Sequence, residues 1–118
     1  MTRVLVTGGR YYEDEQRVIL ELAKFVARYG ETLIVIHGDC PTGADRFANT
    51  FCETFRVPML KWPAKWDQFG KSAGYRRNAH MLKYGQPTHG LVFPGGEGTA
   101  HMRKLMEDDG DIDVCVIP

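Results

Sequence analysis

Leu33-Ile34-Val35-Ile36, set between Gly30 and Gly38, is an unbroken aliphatic run in an otherwise mixed neighbourhood. Four such residues with no polar alternation describe a strand covered on both faces, as in a parallel sheet packed between helices. The flanks agree. Upstream, Val18, Leu22, Phe25 and Val26 recur at i, i+4, i+7 and i+8, one face of a helix that Gly30 ends. Before them, Arg3-Val4-Leu5-Val6-Thr7 is another short β-rich run, closed by Gly8-Gly9. Downstream, Ala44, Phe47, Ala48, Phe51 and Phe55 share a helical stripe, and Val57-Pro58-Met59-Leu60 reads as a third, weaker strand. A loop from Trp62 to Gly74 precedes a helix around Tyr75 to Tyr84, which Gly85-Gln86-Pro87 stops. His89 to Phe93 reads as strand four. Thr99 is the expected N-cap of a short helix lined by Met102, Leu105 and Met106, before a last strand at Val114 to Ile117.

Strands alternating with helices through short connections imply right-handed crossovers and helices on both faces of the sheet. The expected fold is α/β: a single Rossmann-like three-layer sandwich over residues 1–118, with a mainly parallel five-stranded sheet. Ligands of such folds settle outside the carboxyl ends of the strands, where the strand order reverses. The glycine turns at Gly8, Gly38 and Gly95 each follow a strand, so all three belong to that edge.

Composition narrows the function classes. Fifteen basic and 15 acidic side chains cancel, and 43% hydrophobic with 25% charged residues is ordinary for a globular chain, which argues against disorder and against a generally polycationic nucleic-acid binder. No apolar run approaches the roughly 20 residues of a membrane span, and no signal-peptide stretch opens the chain, so no membrane partner is expected. Cys40, Cys52 and Cys115 are odd in number and far apart, which predicts reduced thiols and a cytoplasmic location. His37 and Cys40 lack further ligands at metal-site spacing; neither a metal nor a cofactor is expected. Charge is uneven all the same. Lys61, Lys65, Lys71, Arg76, Arg77 and Lys83 face one acid, Asp67, whereas Glu107 to Asp113 carries acids only and reads as a solvated face.

The strongest chemical element is Pro94-Gly95-Gly96-Glu97-Gly98-Thr99 at a strand-to-helix junction. Gly95, Gly96 and Gly98 allow close backbone approach, and the free N–H groups and dipole of a helix start favour phosphate. It is neither a Walker loop, lacking Gly-Lys-Ser/Thr, nor a G-x-G-x-x-G fingerprint after the first strand. If the strand order reverses between strands one and four, Gly8, Gly9 and Arg10 lie beside it, with Arg10 on a second phosphate or a base edge. In the second turn, bracketed by Gly38 and Gly43, Asp39 and Asp45 are the carboxylates for ribose hydroxyls, although Asp45 also suits a helix first turn without any ligand. Trp66 is the better base-stacking candidate in the basic aromatic loop; Trp62 reads as packing.

These motifs carry a resemblance. Pro94 to Thr99 is similar to the PGGxGT motif of the SLOG superfamily, which includes the LOG-type nucleoside-monophosphate phosphoribohydrolases. Thr7-Gly8-Gly9-Arg10, His37 to Arg46, Trp62 to Trp66, Ala73 to Asn78 with Met81, and Phe93 to Thr99 together resemble the small YspA-type, cpYpsA-related SLOG proteins nearly end to end. The resemblance implies a nucleotide-derived ligand and homo-oligomerisation, as a homodimer or larger. It also marks a departure. The LOG catalytic glutamate three residues after the threonine corresponds to Met102, which can neither stabilise an oxocarbenium-like centre nor activate water. Of the LOG arginine–lysine pair only Arg77 is matched, with Asn78 in the lysine position, so phosphate binding carries over and catalysis does not.

The residues therefore point first to a nucleotide or nucleotide-derived ligand (ADP-ribose-like, cyclic or monophosphate) held by a sensor or sequestering protein. A nucleotide hydrolase is the alternative, with Asp39, Asp45 or Glu97 in place of the missing glutamate. A single-stranded nucleic-acid binder using the segment from Trp62 to Arg77 ranks last, because the net charge is zero.

Overall fold

A computed structural model describes residues 1–118. Its sheet contains β1 (Thr2–Thr7), β2 (Leu33–His37), β3 (Met59–Lys61), β4 (His89–Val92) and β5 (Asp113–Val116), in the order β3-β2-β1-β4-β5. All four strand pairings are parallel, with Val4 opposite both Val35 and His89. The Leu33–Ile36 run thus lies in an interior strand, as its lack of alternation requires. The chain winds from β1 outward to β3, then returns to β4 on the other side of β1, placing the switch point between β1 and β4.

Right-handed crossovers on either side of a switch put helices on opposite faces. Helices α1 (Glu15–Tyr29) and α2 (Gly43–Phe55) cover one face. There Val4, Val6, Val35, Leu91 and Phe93 pack against Val18, Leu22, Ala44, Ala48 and Phe51. Helices α4 (Ala73–Gly85) and α5 (Glu97–Asp109) cover the other, where Leu5, Ile36 and Val92 meet Met81, Met102 and Met106. Strand alternation sorts Val4 and Val6 to the first face and Leu5 to the second. No helix is long and apolar enough to cross a membrane.

Three expectations are corrected. The stretch from Trp62 to Gly74 is not a plain loop: α3 (Trp66–Phe69) and a 3-10 turn at Gly70–Ser72 lead directly into α4. Trp62 is half-buried against the second core, beside Ile36 and Gly85. The third strand starts at Met59, two residues later than the sequence suggested, because Pro58 has no N–H to give and uses its carbonyl to accept from Val35 N at 2.9 Å. Thr99 is not the N-cap of α5. Gly96 holds that position, the helix starts at Glu97, and Thr99 is buried inside its first turn beneath Gly95.

Candidate functional site

Three turns at the carboxyl edge are pressed together backbone to backbone. Gly9 N donates to Pro94 O at 2.9 Å, Ala44 N to Gly9 O at 3.3 Å, and the Thr42 hydroxyl to Arg10 O at 2.8 Å. Two glycines make this possible. A Cβ on Gly8 would stand 2.6 Å from Ala44 Cβ and 2.9 Å from Phe93 Cβ. Gly43 adopts φ +74°, and its Cβ would strike Gly9 O and the Arg10 backbone.

Above this junction lies a cavity of about 840 Å³. Its wall gathers Gly8, Gly9, Arg10, Gly38, Asp45, Trp66, Arg77, Asn78, Pro94, Gly95, Gly96, Gly98 and Thr99, together with Glu97. Of the residues expected to bind, Asp39 and Gly43 are outside it. Asp39 is exposed in a left-handed turn at φ +56°, and Gly43 is buried behind Gly9. The sequence reading also passed over Tyr11, Tyr12, Glu13, Cys40, Lys71 and Tyr75, all in the wall. Their signal was positional: Tyr11 to Glu13 directly continue a strand-end turn at the switch point.

The candidate anion cradle is the start of α5. Gly96 provides no side-chain cap, and a Cβ on Gly96 or Gly98 would meet nothing within 4 Å. The first amides of a helix have no internal partner, and here no side-chain cap engages them, with the positive end of the dipole behind them. Asn78, 3% exposed, steadies this turn by donating to Gly98 O at 3.1 Å. Its Nδ2 also lies 3.1 Å from His101 Nδ1, and its Oδ1 accepts from Arg77 Nε at 3.0 Å. Asn78 therefore positions the cradle and Arg77, with both ends of its amide engaged.

Arg77 spans the cavity floor. Its Nη1 donates to Gly38 O at 2.6 Å and to Trp62 O at 3.3 Å. Burial lowers its pKa, and neighbouring Asp45 opposes that shift. Arg76, its exposed neighbour, turns away and lies over the Phe69 ring at 4.5 Å. Asp45 is 7% exposed and accepts from Cys40 N at 3.3 Å through Oδ2. Burial pushes its pKa up to about 6, more than the backbone hydrogen bonds and Arg77 can offset. His37 is fully buried, and its Nδ1 accepts from Asp39 N at 3.0 Å, which places the proton of the neutral ring on Nε2. Burial drives its pKa down to about 4. No group of three or more His, Cys, Asp or Glu side chains is arranged to hold a metal.

Two titrations thus pull stability in opposite directions. His37 is held neutral when folded, so its contribution is intact above pH 6.5 and is lost as pH falls toward about 4. Asp45 binds its proton more tightly when folded, so stability is lost as pH rises from 3.8 through about 6. Each shift corresponds to roughly 3 kcal/mol at 1.36 kcal/mol per pKa unit. Urea unfolding at pH 4.5 and 7 should show that His37→Asn gains stability on acidification relative to the parent and Asp45→Asn loses it. Parallel behaviour of the two variants would contradict the burial assigned here.

Met102 is 0% exposed and belongs to the core formed with Leu5, Ile36, Met81, Val92 and Met106. The position that would supply a LOG-type carboxylate points beneath the cradle.

A cavity at the switch point of a five-stranded parallel sheet, floored by glycine turns and an arginine, is the setting in which the comparisons with known proteins fall. The description "YspA, cpYpsA-related SLOG family" matches residues 2–69, which carry the first two turns and the aromatic segment. The gene 61 protein of Mycobacterium phage D29 is 35% identical over 117 residues, spanning 93% of this chain and 92% of that protein. No solved structure matches. The family match covers more than half of the chain and the relative covers 93% of it, and on these grounds the chain belongs to the YspA, cpYpsA-related SLOG family.

Proposed function

We propose that the protein binds a nucleotide-derived small molecule in this cavity, as a sensor or sequestering protein. The phosphate sits on the amides of residues 96–99, a hydroxyl is accepted by Asp45, and a ring stacks on Trp66. One observation carries the reading: Gly96 and Gly98 face open space at the start of a thirteen-residue helix whose N-terminal amides have no side-chain cap. Family membership supports a nucleotide-related ligand, and the buried, apolar position of Met102 supports binding without turnover.

The test is to incubate the protein with nucleoside monophosphates, cyclic nucleotides, ADP-ribose and NAD, then analyse bound and free fractions by liquid chromatography and mass spectrometry. Intact ligand retained by the protein is the expected result. Gly96→Leu should weaken that binding by at least about a hundredfold. The domain should remain folded, because φ at this position is −98° and the new side chain meets no protein atom near its Cβ. Unchanged affinity would remove the cradle from the binding site.

Asp45 favours a second reading, hydrolysis of an N-glycosidic bond. A carboxyl group in a cavity with its pKa pushed up to about 6 is matched to general-acid work near neutrality. Free base or ribose phosphate released with turnover, and abolished in Asp45→Asn, would establish it.

A further inference from the structure

The two walls of the cavity come from opposite faces of the sheet. Arg10, Tyr11 and Tyr12 follow β1 and lead into α1, whereas Trp66, Lys71 and Tyr75 belong to the α3–α4 segment across the switch point. Each wall presents one cation and two aromatic rings, with the glycine cradle and Arg77 between them.

On each wall, protein contacts engage a ring and leave aromatic surface open. Tyr12 packs on Phe93 with ring centroids 5.5 Å apart, while Tyr11 beside it is 86% exposed. Across the cavity, Tyr75 meets His101 edge-on at 4.7 Å, and Trp66 lies over Gly74, where a Cβ would come within 3.3 Å of the indole. Trp66 and Tyr75 nevertheless remain 49% and 42% exposed. Large exposed rings concentrated at a cavity mouth mark a recognition surface. At about 840 Å³ the cavity lies near the upper end of the roughly 300–1,000 Å³ usual for small-molecule sites. A ligand with one base would cover one wall and leave the other wet.

Resting on the phosphate-cradle reading, we propose that the ligand is a dinucleotide-type molecule: two ring-bearing halves joined through a diphosphate, one ring on each wall. The α5 amides take one phosphate, and Arg10 or Lys71 neutralises the other. Aromatic stacking tolerates any base, so adenine-bearing probes suffice for a test.

Isothermal titration with ADP, ADP-ribose and diadenosine diphosphate separates the possibilities, using the parent protein, Tyr11→Ala, Trp66→Ala and the double variant. Both substitutions are at exposed side chains and leave the core intact. The dinucleotide is expected to bind at least about tenfold tighter than ADP. Each single variant should weaken the dinucleotide by about tenfold and the double variant by about a hundredfold. ADP, with one ring to place, should lose no more than about tenfold even in the double variant. Equal affinity for ADP and the dinucleotide, dependence on one wall alone, or ADP-ribose matching the dinucleotide would overturn the two-ring proposal. Failure of every probe to bind, or undiminished binding by Gly96→Leu, would instead overturn the cradle reading on which it rests.

Discussion

Met102→Glu is expected to unfold much of the protein at neutral pH instead of conferring hydrolysis. The side chain at 102 is 0% exposed among Leu5, Ile36, Met81, Val92 and Met106, with no cation in that cluster. A glutamate there must bind a proton at pH 7, which costs about 4 kcal/mol from its ordinary pKa, and must bury a carboxyl group with no apolar neighbour able to pair with it. The total, about 4–6 kcal/mol, is a large part of the stability of a domain this size. Met102→Leu, nearly conserving volume, should cost less than about 1.5 kcal/mol and keep ligand binding. Chemical denaturation of both variants decides the matter. A Met102→Glu protein with parental stability that releases free base from a nucleoside monophosphate would show that position 102 reaches the cavity after all.

Gly43→Ala is the second large effect, and Gly110→Ala supplies its control. Both glycines have positive φ, +74° and +84°, so alanine at either incurs about 1–2 kcal/mol of left-handed backbone strain, partly offset by the lower entropy of its unfolded chain. Only Gly43 is also crowded. Its added methyl would strike Gly9 O and the Arg10 backbone, whereas nothing lies within 4 Å of one on Gly110. The first and second turns must then separate, breaking the Ala44 N to Gly9 O and Thr42 to Arg10 O bonds. Gly43→Ala should lose about 3 kcal/mol or more, at least twice the loss at Gly110, and weaken ligand binding as Arg10 shifts. Equal losses at the two sites, measured by urea midpoints, would mean that the contact between these turns is looser than described.

Much of this architecture was legible in the residues because parallel α/β folding writes itself in period and punctuation. The Leu33–Ile36 run, the stripe on α2 and the glycine turns after β1, β2 and β4 are local signals, and the crossover rule converts them into one edge and one switch point. Even Met102 was decided by pattern, since its stripe with Leu105 and Met106 belongs to a packed helix face. What stayed hidden depends on contacts between distant segments. Nothing near Asn78 announces that its amide bonds Gly98 O twenty residues away, or that Asp39 turns outward while Asp45 turns in. The short helix at Trp66–Phe69 is also tertiary in origin, too short to form by propensity alone.

The cradle is main chain and the walls are side chain, and this difference separates two properties that usually change together. A seat made of amide groups survives most substitutions around it, because only filling the turn or shifting the helix removes the donors. Tyr11, Trp66 and Lys71, by contrast, are exposed and can be exchanged without disturbing either core. Under the proposed reading, related chains of this family can acquire new ligands by changing a few rim residues while keeping one inherited grip on phosphate. Specificity within such a lineage is then freer to drift than affinity for the common anionic group.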